Sequence, residues 1–186
     1  MVETYPLTPD RWGDLVRLFG DNGAYDGCWC VFPRVTAKEY QAGRGEGNRQ
    51  RLCDLVTAGE EPGLLAYDGD VPVGWVSAGP RPQFGRILRS PLFRPEDPTD
   101  EGTWSVVCFY APREQRGQGL MDQLLAAAVG WATERGAHTI EGYPIVPDGR
   151  ARAELYVGVP TVFVRAGFEE VAAPSPIRRL YRRSLP

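Results

Sequence analysis

The chain has 186 residues, 42% of them hydrophobic, which suits one globular domain over residues 1–186 with a sizeable core and leaves no room for two full domains. Net charge is −3 and Lys38 is the only lysine, so no basic block marks a nucleic-acid groove; the arginines of residues 177–183 are interrupted by Leu180 and Tyr181, as on an edge strand. The start, MVETYPLTPDRWGDL, lacks the basic end and apolar run of a signal peptide and no apolar stretch approaches spanning length, so the expectation is a cytoplasmic protein without membrane or nucleic-acid partners.

Residues 2–7 read as a short strand. Thr8-Pro9 then opens a helix, with the hydroxyl as N-cap and proline at a tolerated first position. Trp12, Leu15, Val16 and Phe19 give that helix one apolar face, and Gly20 and Gly23 end it. Residues 22–33 form a loop. Thr36 begins a second helical region that Gly43, Gly45 and Gly47 split into two pieces.

Residues 64–67 and 71–78 flank the turn signal Asp68-Gly69-Asp70 and predict a hairpin. Residues 80–102 carry five prolines and the acidic run Glu96, Asp97, Asp100, Glu101, predicting a long, partly helical excursion. Residues 103–110 are β-branched and aromatic and read as a buried strand. A glycine-rich turn leads into the most periodic helix of the chain, with Leu124, Leu125, Ala128 and Trp131 on one face and an end near Gly136. A strand over 138–145, a short helix over 161–166 closed by Gly167, and two terminal strands over 168–172 and 177–183 follow. This order lacks the regular alternation of a doubly wound sheet. The expected fold is α+β, a central mixed, mainly antiparallel sheet of about seven strands with helices on both faces.

A strand that turns through glycines into a helix leaves the first helical N–H groups unpaired and adds the positive end of the dipole, which makes an anion site. Gly117 and Gly119 let the backbone approach a pyrophosphate, and Arg116 adds a charged donor. The segment Val106-Val107-Cys108-Phe109-Tyr110-Ala111-Pro112, followed by Arg116-Gly117-Gln118-Gly119-Leu120, resembles motif A of the GNAT superfamily of acetyl-CoA-dependent N-acetyltransferases. Arg116 and Gly119 match its first two fixed positions, whereas Met121 stands at the third and sets a side chain beside the phosphates. Residues 160–168, Pro-Thr-Val-Phe-Val-Arg-Ala-Gly-Phe, resemble the late helix of that superfamily with its Gly-Phe ending.

The resemblance implies an N-acetyltransferase in which an amine of a small molecule or peptide attacks the thioester of acetyl-CoA directly, without a metal. It assigns the donor site to Phe109, Tyr110, Arg116, Gly117, Gln118, Gly119, Leu120 and Met121, with Phe109 and Tyr110 along the pantetheine arm. The tyrosine that protonates the thiolate in much of the family is replaced by Phe163, which leaves Tyr110, Tyr143, Tyr156 or no acid at all. As base, Glu141 is the first choice, on one strand face with Tyr143; the alternative is that Glu141 partners an arginine. His138, the only histidine, suits a capping or surface role.

The segment Asp26-Gly27-Cys28-Trp29-Cys30-Val31-Phe32 falls where the superfamily builds its acceptor site, and Trp29, with Tyr143, is expected to wall that pocket. Cys28 and Cys30 are too close to bridge comfortably and read as reduced thiols in a packed loop. Three further readings stay open: a non-catalytic acyl-CoA sensor, an aminoglycoside-type acetyltransferase drawn to cations by the acidic run, and a redox or metal role for Cys28 and Cys30. A homodimer is compatible with the sequence.

Overall fold

Burial on both faces draws the central apolar segments into the middle of one sheet. In the computed structural model, which describes residues 2–149 and 152–186 without the side chains of 152–154, the strands are β1 (Glu3–Pro6), β2 (Leu64–Asp68), β3 (Val71–Pro80), β4 (Thr103–Tyr110), β5 (Thr139–Gly142), β6 (Glu169–Ala172) and β7 (Leu180–Ser184). Their order is β1-β2-β3-β4-β5-β7-β6. Each neighbouring pair is antiparallel except β4 and β5.

The helices are α1 (Trp12–Phe19), α2 (Ala37–Ala42), α3 (Glu46–Thr57), α4 (Gly85–Leu88), α5 (Leu120–Glu134) and α6 (Pro160–Arg165). On one face Leu124, Leu125 and Ala128 of α5 pack with Ala66, Val76, Val106 and Phe109, joined by Val162 and Phe163 of α6. On the other, Leu15 and Phe19 of α1 and Leu52 and Val56 of α3 cover Leu65 and Trp75. Each fully buried side chain of this kind contributes about 1.5–3 kcal/mol. Gly74 allows the start of α5 to lie close on β3, since a Cβ there would stand 3.0 Å from Leu120.

The mixed sheet with helices on both faces agrees with the sequence expectation, and α2 and α3 separate where Gly45 takes φ +83°. Thr8 departs from it. Its hydroxyl donates to Asp10 at 2.6 Å and caps no backbone group, and a 3-10 turn at Pro9–Arg11 precedes α1.

Two irregularities shape the centre of the sheet. Pairing of β3 with β4 slips between Ser77 and Ala78, so that Ser77 faces Cys108 while Ala78 faces Val106. Val107 is the extra residue of a β-bulge. It packs with Phe84, Ile87 and Tyr143, with Cys108 against the same cluster. Beyond the bulge, β4 leaves β5: their parallel ladder runs only from Thr103↔Thr139 to Val106↔Gly142.

Candidate functional site

The loop after β4 makes a 3-10 turn at Arg113–Gln115 and then passes through Gly117 at φ +79° and Gly119 at φ +75° into α5. Left-handed backbone is cheap only for glycine, which is why both positions are glycine. A Cβ at either would meet nothing within 4 Å, because the loop borders open space. Among the described residues no hydrogen bond engages the N–H groups of Gly117, Gln118 or Gly119. Free N–H groups, the helix N-terminus and Arg116 together fit a pyrophosphate. Arg116 is braced by its Nε, which donates to the Ala111 carbonyl at 3.0 Å, and the Gln118 side chain donates to the Glu114 carbonyl at 2.8 Å.

The loop overhangs a cleft of about 720 Å³ lined by Phe109, Tyr110, Arg116, Gly117, Gly119, Leu120 and Met121, among others. Met121 also leans on the core cluster beneath α5, so its side chain is shared between core and cleft. Asp122, at the first turn of α5, would oppose a phosphate, but Arg165 pairs with it at 2.7 Å on the cleft wall. Tyr110 packs edge-on against Phe19, and burial raises its pKa while Arg116 pulls it back.

A second cavity of about 290 Å³ lies beyond the bulge, lined by Val107, Phe32, Pro33, Arg86, Ile87, Phe93, Tyr143, Tyr156 and Arg178 among others. The excursion 80–102 and the loop 22–35 supply most of this wall. Tyr156, in a 3-10 segment Arg152–Val157, borders both spaces. Burial pushes its phenol up to about 12, reinforced by Cys108 and opposed by Arg178.

Three site expectations require correction. Glu141, expected as base, is buried between two guanidinium groups: Arg182, its direct cross-strand partner on β7, donates to Oε1 at 2.6 and 3.0 Å, and Arg81 reaches Oε2 at 3.3 Å. Tyr143 donates to the same Oε2 at 3.1 Å, so Glu141 is held as an ion-pair partner and lines neither cavity. Tyr143 is not free as an acid, because its hydroxyl is engaged by Glu141 and by Ser105 at 2.8 Å; burial, with Glu141 adding to it, pushes its pKa well up. Its ring, tilted on Phe93, does wall the second cavity. Trp29 lies in the core, stacked on Trp12 and packed on Phe19, and lines neither space; Phe32 and Pro33 take the wall instead.

As expected, the cysteines are free thiols; Cys30 lies against Cys108 of β4, and their interaction holds Cys30 below the usual thiol value and, with burial, drives Cys108 well above it. Among the described residues no three His, Cys, Asp or Glu side chains come together as a metal site. Half of the acidic run is engaged locally: Asp100 accepts from Thr103 and pairs with Arg81 at 3.5 Å, and Asp97 accepts from Thr99, while Glu96 and Glu101 are exposed. The exposed His138 faces Asp100 at 3.4 Å. Sequence reasoning missed Arg86 and Arg178, whose shared position depends on two distant loops.

A family model described as the acetyltransferase (GNAT) family matches residues 29–157. No curated protein matches the chain. Among solved structures, the chain is similar to an N-acetyltransferase from Staphylococcus aureus Mu50 (13% identity, 100% of this chain and 99% of that one, TM-score 0.60). It is also similar to the PaiA N-acetyltransferase from Thermoplasma acidophilum in complex with coenzyme A (10%, 99% and 99%, 0.57). A third is a GNAT-family acetyltransferase from Listeria monocytogenes 4b F2365 (13%, 99% and 95%, 0.58).

Proposed function

Because the chain belongs to the GNAT acetyltransferase family, we propose that it transfers the acetyl group of acetyl-CoA directly to the primary amine of a small molecule. The observation that carries this reading is that, among the described residues, the cleft under the phosphate loop and the cavity beyond the bulge share one residue, Tyr156. A donor laid along β4 from the loop would bring its thioester toward that junction, with the acceptor arriving from the other side. The N–H groups of 117–119 and Arg116 hold the pyrophosphate. Residues 107–110, released from β5, offer free backbone to the pantetheine amides.

The donor supplies an activated thioester. The amine nitrogen bonds to its carbonyl carbon, the C–S bond breaks, sulfur keeps the electron pair, and the surplus amine proton passes to solvent. Tyr156 stays a neutral phenol at neutral pH and hydrogen-bonds to the departing sulfur, which takes its proton as the phenol regains one from solvent in the same exchange. No described carboxylate or histidine lines the cavity, so the amine enters uncharged, favoured by the apolar walls.

The geometry lends no support to the aminoglycoside-type alternative, since none of the acidic run lines the cavity, which carries Arg86 and Arg178 instead. Calorimetric titration with acetyl-CoA tests the donor site, with Gly119→Trp filling the cradle. Wild type binding no tighter than a folded Gly119→Trp would sink the assignment. CoA release on addition of an amine separates enzyme from sensor: binding without release favours the sensor.

A further inference from the structure

Most arginines near the sheet's open end have acidic partners: Arg182 and Arg81 share Glu141, Arg179 faces Glu170 at 3.4 Å, and Arg165 holds Asp122. Arg86 and Arg178 have none among the described residues, and both line the second cavity. Arg86 is fixed in place. Its Nε donates to the Phe32 carbonyl at 2.8 Å and its guanidinium lies 3.8 Å from the centroid of the Phe32 ring, leaving Nη2 buried with no hydrogen-bond partner. Its charge has no acidic partner among the described residues, and an anion in the cavity it lines would neutralise that charge. Arg178, on the segment leading into β7, donates its backbone N–H to Ser175 while its charge acts on Tyr156 across the cavity.

Resting on the acetyl-transfer reading above, we propose that the acceptor is an amine that also bears a carboxylate, an amino acid or a close analogue, bound by Arg86 and Arg178. Two guanidinium groups facing a space with no described carboxylate set the charge of the occupant. A volume of about 290 Å³ sets its size, at the lower end of small-ligand pockets. Phe32, Ile87, Phe93 and Val107 take its apolar part. With the carboxylate on the arginines, the amine is left toward Tyr156 and the thioester.

The test uses the full chain, acetyl-CoA and a panel of the common amino acids, each paired with its carboxamide, read by appearance of the CoA thiol. The best carboxylates are expected to exceed their amides at least tenfold in kcat/KM. Arg178→Gln should bring that ratio toward one, chiefly through KM for the carboxylate. Arg86→Gln should do the same; Arg178→Gln remains informative if loss of the Phe32 contact unfolds the other variant. Amides turned over as well as acids, or a ratio unmoved in a folded Arg178→Gln, would overturn this inference alone. No CoA release with any amine of either class would defeat the acetyl-transfer reading, and the acceptor assignment with it.

Discussion

Among the described residues Tyr156 is the one side chain that lines both the cleft and the second cavity, and no hydrogen bond holds its hydroxyl as Ser105 and Glu141 hold that of Tyr143. Tyr156→Phe is expected to lower kcat by about tenfold to a hundredfold with little change in KM, the low end for a general acid because a thiol of pKa about 8.5 leaves readily. Stopped assays of CoA release measure both constants. Because burial holds the phenol up to about 12, the protonated donor persists through the assay range; kcat should not fall between pH 8 and about 10 on its account. At Glu141, removing the carboxylate takes a buried partner from Arg81, which keeps Asp100 and the Asp97 carbonyl, and from the partly exposed Arg182, so Glu141→Ala should cost about 1–3 kcal/mol in urea unfolding. In an Arg81→Met background the loss should shrink, and a purely additive double variant would contradict the pairing. The phosphate loop was legible from residues alone because left-handed glycines write their backbone demand locally. Arg86 and Arg178 were not, since an arginine lacks a partner only by virtue of what the rest of the fold fails to bring near it.

At the scale of elements, the late helix α6 alters the meaning of the family departure at Phe163. That ring is fully buried, edge-on to Phe168 and Phe109, and a Cβ at Gly142 of β5 would collide with it. Phe163 lines neither cavity, so its hydroxyl-free ring serves packing. Phe163→Tyr should therefore give no gain in kcat and should lower stability by about 1–3 kcal/mol, read by thermal unfolding; a rise in kcat would show that the ring reaches the thioester. Residues 22–33 form the expected loop, but Trp29 does not wall the cavity, for a related reason. Ala24, Asp26, Trp29 and Cys30 all take positive φ, a tight winding that turns Trp29 inward onto Trp12. Aromatic density in the sequence marked that loop as important without saying which way its rings would face. The strand and helix order was legible, because periodicity and glycine punctuation act over neighbours in sequence.

For the molecule as a whole, buried phenols set the alkaline limit of stability. Burial drives Tyr40 and Tyr156 up to about 12 and raises Tyr67 and Tyr143 further. The folded pKa lies above the unfolded value near 10, so their contribution is complete below pH 10 and is lost as pH rises toward 12, where the unfolded chain releases protons first. Melting temperature should be nearly flat from pH 7 to 9 and fall steeply above 10, and a flat profile to pH 12 would contradict the burial of these rings.

The extra residue at Val107 has a consequence for what the sheet could become. Because Val107 and Cys108 share a face, deleting Val107 would restore regular alternation and leave Phe109 and Tyr110 pointing as they do now. The two strands could then zip together past Val106↔Gly142, gaining ladder bonds where the opening now stands. Such a deletion variant is expected to pair more regularly and to lose the opening between β4 and β5, and with it the binding of acetyl-CoA.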